Sequence, residues 1–375
     1  MKSFYLLIIF SSLVFFSLRA GEVDPFFSLN QEIADSKEIL NGYLNASIKD
    51  ILERHHEEKS QGESCENVSL HVMEKLGADD YYVTKVGALN SDFELWVNAN
   101  AKVERSPKYG FSEEKYVQES IYAPKLKFFG VWHKELDATI NIGGVYVGID
   151  KLSHFLGSGY EYFKIYLQAK QEGCSEYTAQ LKAIEWGLKM ENGILGRWPV
   201  GVFSYADLEA NYGGFLLAKE LCQNAMLSNI NGKWELKVAL KMQKYVNPNW
   251  DELYNANAYS KDREEEIYTN LDKLSIYKNI NPNKYSQRFF SYRSLAQPTF
   301  SSRVLDVCSV SDEVNAQTQF ERLLQITPFE CTYKEFKEHF IEICQENKAR
   351  HFFAEIEGDY LLKYSVSNLN KENKE

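Results

Sequence analysis

Asp150 and His154 stand four residues apart in Gly148-Ile149-Asp150-Lys151-Leu152-Ser153-His154-Phe155-Leu156-Gly157. Asp207 and Asn211 stand four apart in Phe203-Ser204-Tyr205-Ala206-Asp207-Leu208-Glu209-Ala210-Asn211-Tyr212-Gly213-Gly214. A helix advances about 100° per residue, so the members of each pair lie about 40° from one another on one face. Glu161, eleven residues after Asp150, returns to within about 20° of the same line. Gly214 and Ala218 extend the second stripe, and residues this small let another backbone come close. The expected picture is two helices pressed together, an Asp/His/Glu face opposite an Asp/Asn face.

Three chemistries fit these residue types. The first is a structural network in which buried carboxylates, imidazole and amide satisfy one another and fix the helix register. The second is acid–base catalysis: His154 as base, Asp150 as its orienting acid, Asp207 and Asn211 holding water, substrate or an ion. The third is a metal site made from His154, Asp150 and Asp207 with Glu161 or Asn211. One imidazole is few for zinc, and the oxygen-rich set suits a harder ion. No cofactor is identified by motif. Glu185, on the following helix, either faces His154 or is an exposed helix glutamate. Lys151 either pairs with an acid or, as lysines do by default, reaches solvent. Ser204 is placed to cap the helix carrying Asp207, and Asp207 at the third position would then have a purely local capping role. A serine nucleophile is disfavoured, since no Gly-x-Ser-x-Gly elbow occurs.

Taken together the two stretches resemble the paired signatures of VanZ-like proteins and the related YfiM-like periplasmic proteins. The first signature, Asp-Lys-x-x-His-Phe, stands at Asp150 to Phe155; the second, Asp-x-x-Ala-Asn-x-x-Gly, stands at Asp207 to Gly214. Glu185 and Gly196-Arg197 resemble the family's intervening positions. The resemblance covers residues 145–220. VanZ-like proteins span the membrane several times and this chain lacks such spans, so the YfiM-like proteins are the nearer analogy. The resemblance implies an envelope location and a link to envelope chemistry, with no settled reaction.

These residues need a frame. Residues 1–20 read as a secretory signal: Lys2, an almost wholly apolar run from Phe4 to Leu18, and Ala20 as the cleavage position. Fifteen residues are short for a bilayer, which needs about 20; an uncleaved anchor is the alternative. Removing residues 1–20 takes Lys2 and Arg19 and no acid, leaving 40 basic against 53 acidic residues, net −13. That balance excludes a nucleic-acid groove. No later stretch is a transmembrane span, and an envelope lipid or glycan is the partner class to expect. The 14% of aromatic residues serves core packing or a sugar- or lipid-binding cleft. Six cysteines, Cys65, Cys174, Cys222, Cys308, Cys331 and Cys344, permit three disulfides in an exported chain or remain buried thiols.

The fold class expected is mainly α: an exported helical globular protein with a small β-hairpin or ribbon before the central helix. Residues 21–255 form the helical core domain, 256–290 an irregular linker, and 291–375 a C-terminal helical region. Within this frame helices are expected at 28–59, 66–76 (closed by Gly77), 89–104, 151–171 and 175–190, with a strand from Tyr81 to Val86. His55-His56 reads as a solvated helix end. Thr139 to Ile149, with Gly143-Gly144, is the ribbon, and Asn231-Gly232 is a turn. Phe336, Phe340, Ile341 and Cys344 form one packing face. Two functions remain open: a hydrolase of an envelope lipid or glycan, and a non-catalytic envelope binding or structural protein.

Overall fold

The computed structural model describes residues 21–58, 62–78, 91–123, 136–274, 281–295, 297–310, 312–347, 353–356 and 359–362. The signal expected at residues 1–20 and the strand expected from Tyr81 to Val86 lie outside the described residues.

The fold is mainly α, as its periodicities predict. Helix α1, Lys37–Glu58, buries Leu40, Leu44, Ile48, Ile51 and Leu52. It starts well after the expected residue 28. Residues 25–30 fold as consecutive turns, and the Asp35 carboxylate then accepts the Lys37 amide (3.0 Å) and the Gly143 amide (2.8 Å), which holds the chain against the ribbon until Ser36. His55 is not solvated: it is buried, lies 4.5 Å from the His71 ring and pairs with Glu63 at 2.7 Å. Helix α2, Cys65–Met73, runs into a π turn, Glu74–Ala78. Gly77 does not close it. A Cβ there would come within 2.7 Å of the Leu156 and Gly157 backbone, so glycine serves close packing instead. Helix α3, Asp92–Ala99, is capped by Ser91 and is shorter than expected.

The ribbon forms as read. Strands β1 (Glu22–Val23) and β3 (Leu136–Asp137) pair in parallel, while β2 (Arg105–Ser106), β4 (Thr139–Ile142) and β5 (Val145–Gly148) form an antiparallel sheet. Gly143 and Gly144, at φ 65° and 95°, make the β4–β5 turn.

β5 feeds directly into the central helix α4. It comprises Lys151–Ser153, a π turn at His154–Ser158, and Gly159–Gln171. Helix α5, Glu176–Glu191, is capped by Ser175. Helix α6, Tyr205–Gln223, is capped by Ser204 and is buried along most of its length. It crosses α4 at glycines: a Cβ on Gly159 would sit 2.7 Å from Gly214 Cα, and one on Gly214 would collide with the Phe155 carbonyl. The Cys65–Cys222 disulfide staples α2 to the end of α6. Cys174, Cys308, Cys331 and Cys344 carry free thiols, so of the two alternatives one bridge forms and four cysteines remain thiols.

Residues 256–290 are not irregular among the described residues. Helices α7 (Lys261–Lys273) and α8 (Pro282–Tyr292) occupy them. Tyr/Asn-rich composition hid an amphipathic helix whose buried face holds Ile267 and Leu271. Arg288 anchors α8 by bonding Asp251 at 2.6 Å and lying 3.8 Å over the Tyr146 ring. C-terminal helices follow at Phe300–Ser309 and Glu313–Ile326, then a run beginning at Tyr333. Phe336, Phe340, Ile341 and Cys344 are buried as expected, in one apolar cluster with Leu40, Phe155 and Leu208.

Candidate functional site

Asp150, His154, Asp207 and Asn211 do meet where α4 passes α6. His154 Nε2 lies 3.1 Å from Asp207 Oδ2, and Nδ1 lies 3.0 Å from Asn211 Oδ1. Asp150 takes a different place from the one expected. Its carboxylate lies on the Lys151 ammonium (2.6 Å) rather than on the imidazole. Lys151 is fully buried and also bonds Asp207 Oδ1 (2.5 Å) and Glu252. The solvent-facing default for this lysine is thereby overturned: three carboxylates from three parts of the chain surround its nitrogen.

Local sequence explains the delivery. The Ile149 amide bonds the Ala138 carbonyl (3.0 Å) and ties the start of α4 to the ribbon. Gly148 allows Val23 and Asp150 to press on its Cα. Asp150 sits at the helix start but makes no side-chain cap, which leaves both oxygens for the cluster. Glu252 follows the short turn Pro248–Trp250 and is held by Asn257 Nδ2 at 2.9 Å. Ser204 caps α6 by accepting the Asp207 amide (3.2 Å), as expected. The return bond of the capping motif is not made by Asp207. Glu191 Oε1 accepts the Ser204 amide at 2.9 Å, and Asp207 turns to the two cations.

Glu161 and Glu185 stay outside. Glu161 pairs with Lys164 at 3.3 Å. The angular reading assumed an unbroken α-helix; the π turn at His154–Ser158 adds a residue to one turn and rotates everything beyond it off the line. Glu185 bonds Lys189 and His339, 2.7 Å from the latter's ring nitrogen.

Lys151, Glu252, Glu22 and Glu191 are the members that pattern reading missed. Glu191 left one trace: an acid in the last turn of a helix opposes the helix dipole, which asks for another purpose. Lys151 left another, standing beside Asp150 between the apolar ribbon and Leu152. Glu22 and Glu252 sit in segments without periodicity.

Electrostatics divide the cluster. Burial alone would lower the His154 pKa, but Asp207, with help from Glu191, holds it at about 9. Burial would raise Asp207; His154 and Lys151 hold it below the usual carboxylate range. Burial would lower Lys151; Asp150, Asp207, Glu252 and Glu22 keep it well above its ordinary value. Burial pushes Glu252 to about 7 against the pull of Lys151. Burial and Asp207 push Glu191 to about 8, and burial with Glu252 and Asp207 raises Glu22 well above its ordinary value. At neutral pH the Lys151 ammonium and the His154 imidazolium therefore face the Asp207 carboxylate, while burial pushes Asp150 and Glu22 upward and holds Glu191 protonated.

Oxygens of Asp150, Asp207 and Glu252 all fall within 4.8 Å of one another, close enough to share a cation. The Lys151 ammonium already lies among them, so a metal ion would have to displace it. Two surface clefts of about 390 and 410 Å³ lie elsewhere. One runs between α1 and the Lys233–Leu236 strand; the other is bordered by Asn67, Tyr166, Lys170 and Lys219. Neither is lined by a residue of the cluster. No family model, curated protein or solved structure matches this chain. Among the described residues, no helix is long and apolar enough to cross a membrane.

Proposed function

We propose that this is an exported cell-envelope protein with a binding or structural role, in which the Asp150–Lys151–His154–Asp207–Asn211–Glu252 cluster locks the helical core. One observation carries this reading: the basic nitrogens of the cluster are already occupied. Both imidazole nitrogens face acceptor oxygens, and the ammonium is shared among three carboxylates. A general base must present a free lone pair at working pH, and an imidazole held at about 9 does not. The VanZ-like and YfiM-like signatures fit the same proposal as a shared helix-pairing device: Gly214 is where α6 meets α4, and Asp207 and Asn211 are where it is bonded. An envelope glycan or lipid would then be met at the surface, where the cleft beside Tyr166, Lys170 and Lys219 offers aromatic edge and positive charge.

A hydrolase is the second reading, favoured by a specific feature. Strongly shifted groups crowd around one imidazole that keeps 12% of its side-chain surface exposed, a concentration typical of reactive sites. In that case His154 works first as a proton donor, since it carries its proton at neutral pH. Complementation of a deletion strain with His154→Gln and Asp207→Asn separates the two, read beside the melting temperature of each purified variant. The lock predicts that lost function tracks lost stability. A His154→Gln protein that melts like the parent but fails to complement sinks the lock and supports catalysis. Metal analysis of the natively purified protein bears on the ion: the lock predicts no stoichiometric metal.

A further inference from the structure

Two of the four free thiols face each other. Cys308 lies near the end of the Phe300–Ser309 helix, and Cys344 lies in the short helix Glu342–Glu346. These helices pack on one another. Both cysteines are wholly buried in the larger apolar cluster, and their sulfurs are within hydrogen-bonding reach. The surroundings are a junction. The Tyr205 hydroxyl, at the start of α6, donates to the Asn347 carbonyl (2.9 Å) at the end of the Cys344 helix. Asn347 Nδ2 donates to Asn192 Oδ1 (2.8 Å), just past α5. The thiol pair therefore sits where the C-terminal run docks on α5 and α6. The other two thiols have different neighbours: Cys331 Sγ donates to the Thr332 carbonyl (3.4 Å), and Cys174 lies beside Lys182. A thiol is a weak donor and a weak acceptor, so contact between two buried thiols holds this junction only weakly. A covalent bond there would hold it far better.

We propose that Cys308 and Cys344 are the site of a second disulfide, which clips the Glu342–Glu346 helix to the Phe300–Ser309 helix and fixes the C-terminal run on α5 and α6. The oxidant is a small exchangeable disulfide of the glutathione disulfide class. One cysteine loses its proton, and its thiolate attacks a sulfur of the oxidant, which leaves a mixed disulfide and releases one thiolate. The second cysteine, deprotonated in turn, attacks the protein sulfur of that mixed disulfide. The Cys308–Cys344 bond forms and the second small thiolate leaves. Two electrons pass to the oxidant, and its two thiolates take up the two protons. Burial sets the rate. The attacking species is the thiolate, while burial and the neighbouring Cys308 push the Cys344 thiol well above its ordinary value. The first attack accordingly waits for the C-terminal run to open locally. Oxidation is slow in the closed molecule and fast during folding or partial opening. This chemistry is independent of whether the Asp207 cluster locks or catalyses, and of where the protein resides.

The test uses the purified full chain and glutathione disulfide, in buffer alone and in urea too dilute to unfold the protein. Remaining thiols are then alkylated, and the protein is digested without reduction for mass spectrometry. The Cys308 peptide is expected to be joined to the Cys344 peptide, about 2 Da lighter than the two thiol peptides together. Cys174 and Cys331 are expected to stay open to alkylation or to carry glutathione. Dilute urea is expected to speed the bond, because it raises the open fraction. The bridged protein is expected to melt higher than the unbridged one by on the order of 5 °C. Cys308→Ala is expected to abolish both the linked peptide and the rise in melting temperature, with Cys344 left as a thiol. Should that variant not fold, Cys174→Ser with Cys331→Ser removes the competing thiols instead and is expected to keep the linked peptide. Alkylation of both Cys308 and Cys344 after oxidation in dilute urea, pairing of either with Cys174 or Cys331, or a bridged form that melts no higher than the unbridged one overturns the proposal.

Discussion

Lys151 is the residue on which the core depends. Its nitrogen is the common partner of Asp150, Asp207 and Glu252, so deleting the charge leaves buried acids facing one another. Breaking a buried pair by removing one partner costs about 3–5 kcal/mol, and Lys151→Met is expected to lose that much in urea unfolding. Glu191→Gln is the contrasting case. Glu191 is pushed to about 8 and already neutral at pH 7, and glutamine keeps the oxygen that accepts the Ser204 amide. That variant is expected to stay within about 1 kcal/mol of the parent in the same assay, near the scale of one net hydrogen bond. Sequence spacing located Asp150, His154, Asp207 and Asn211 because helical periodicity survives in the linear chain. It could not locate Glu22 or Glu252, which arrive from a two-residue strand and a loop. It misjudged Lys151 because average behaviour puts lysine in water, and only the three acids around it make burial tolerable.

The helix pair α4–α6 is held apart by nothing larger than a hydrogen. Gly159 faces Gly214, and Gly214 faces the Phe155 carbonyl of the π turn. The sequence announced this contact through Gly214 and Ala218. The π turn itself left no such mark, since His154 to Ser158 reads like any helical stretch, and it is what removed Glu161 from the site. Gly214→Ala forces the helices apart and is expected to destabilise by about 1–3 kcal/mol, the usual cost of overpacking. The same change at Gly42, where an added Cβ meets nothing within 4 Å, is expected to be neutral or slightly stabilising. Comparing the two melting curves isolates the crossing from helix propensity.

Among the described residues, one bridge and two apolar clusters join distant parts of the chain. Cys65 and Cys222 are 157 residues apart, so their bond restricts a long loop in the unfolded chain. Reduction, or Cys65→Ala with Cys222→Ala, is expected to cost about 2–4 kcal/mol of unfolding free energy, read from denaturant midpoints. The mainly α class was readable from repeated helical stripes, and the ribbon from Gly143-Gly144 within β-branched residues. Helix α7 was not readable, because its apolar face is thin and its surroundings are rich in Asn and Tyr. The assembled molecule also predicts how stability responds to pH. His154 has a raised folded pKa, so its contribution is fully present below about 6.5 and disappears as pH rises through about 9. Asp207 has a lowered one, so its contribution is present above about 4 and is lost in acid. Melting temperature is expected to be greatest between these limits, and His154→Gln is expected to flatten the alkaline arm.

If the cluster locks the core, the imidazole at the helix crossing is a fixed cation. Nitrogen-15 NMR of the folded protein with labelled histidine, titrated from pH 5 to 10, reads it directly. Both His154 ring nitrogens are expected to carry protons through pH 7 and to titrate near 9. A neutral His154 ring at pH 7, titrating near the ordinary 6.5, would contradict the lock and return the imidazole to the role of a base.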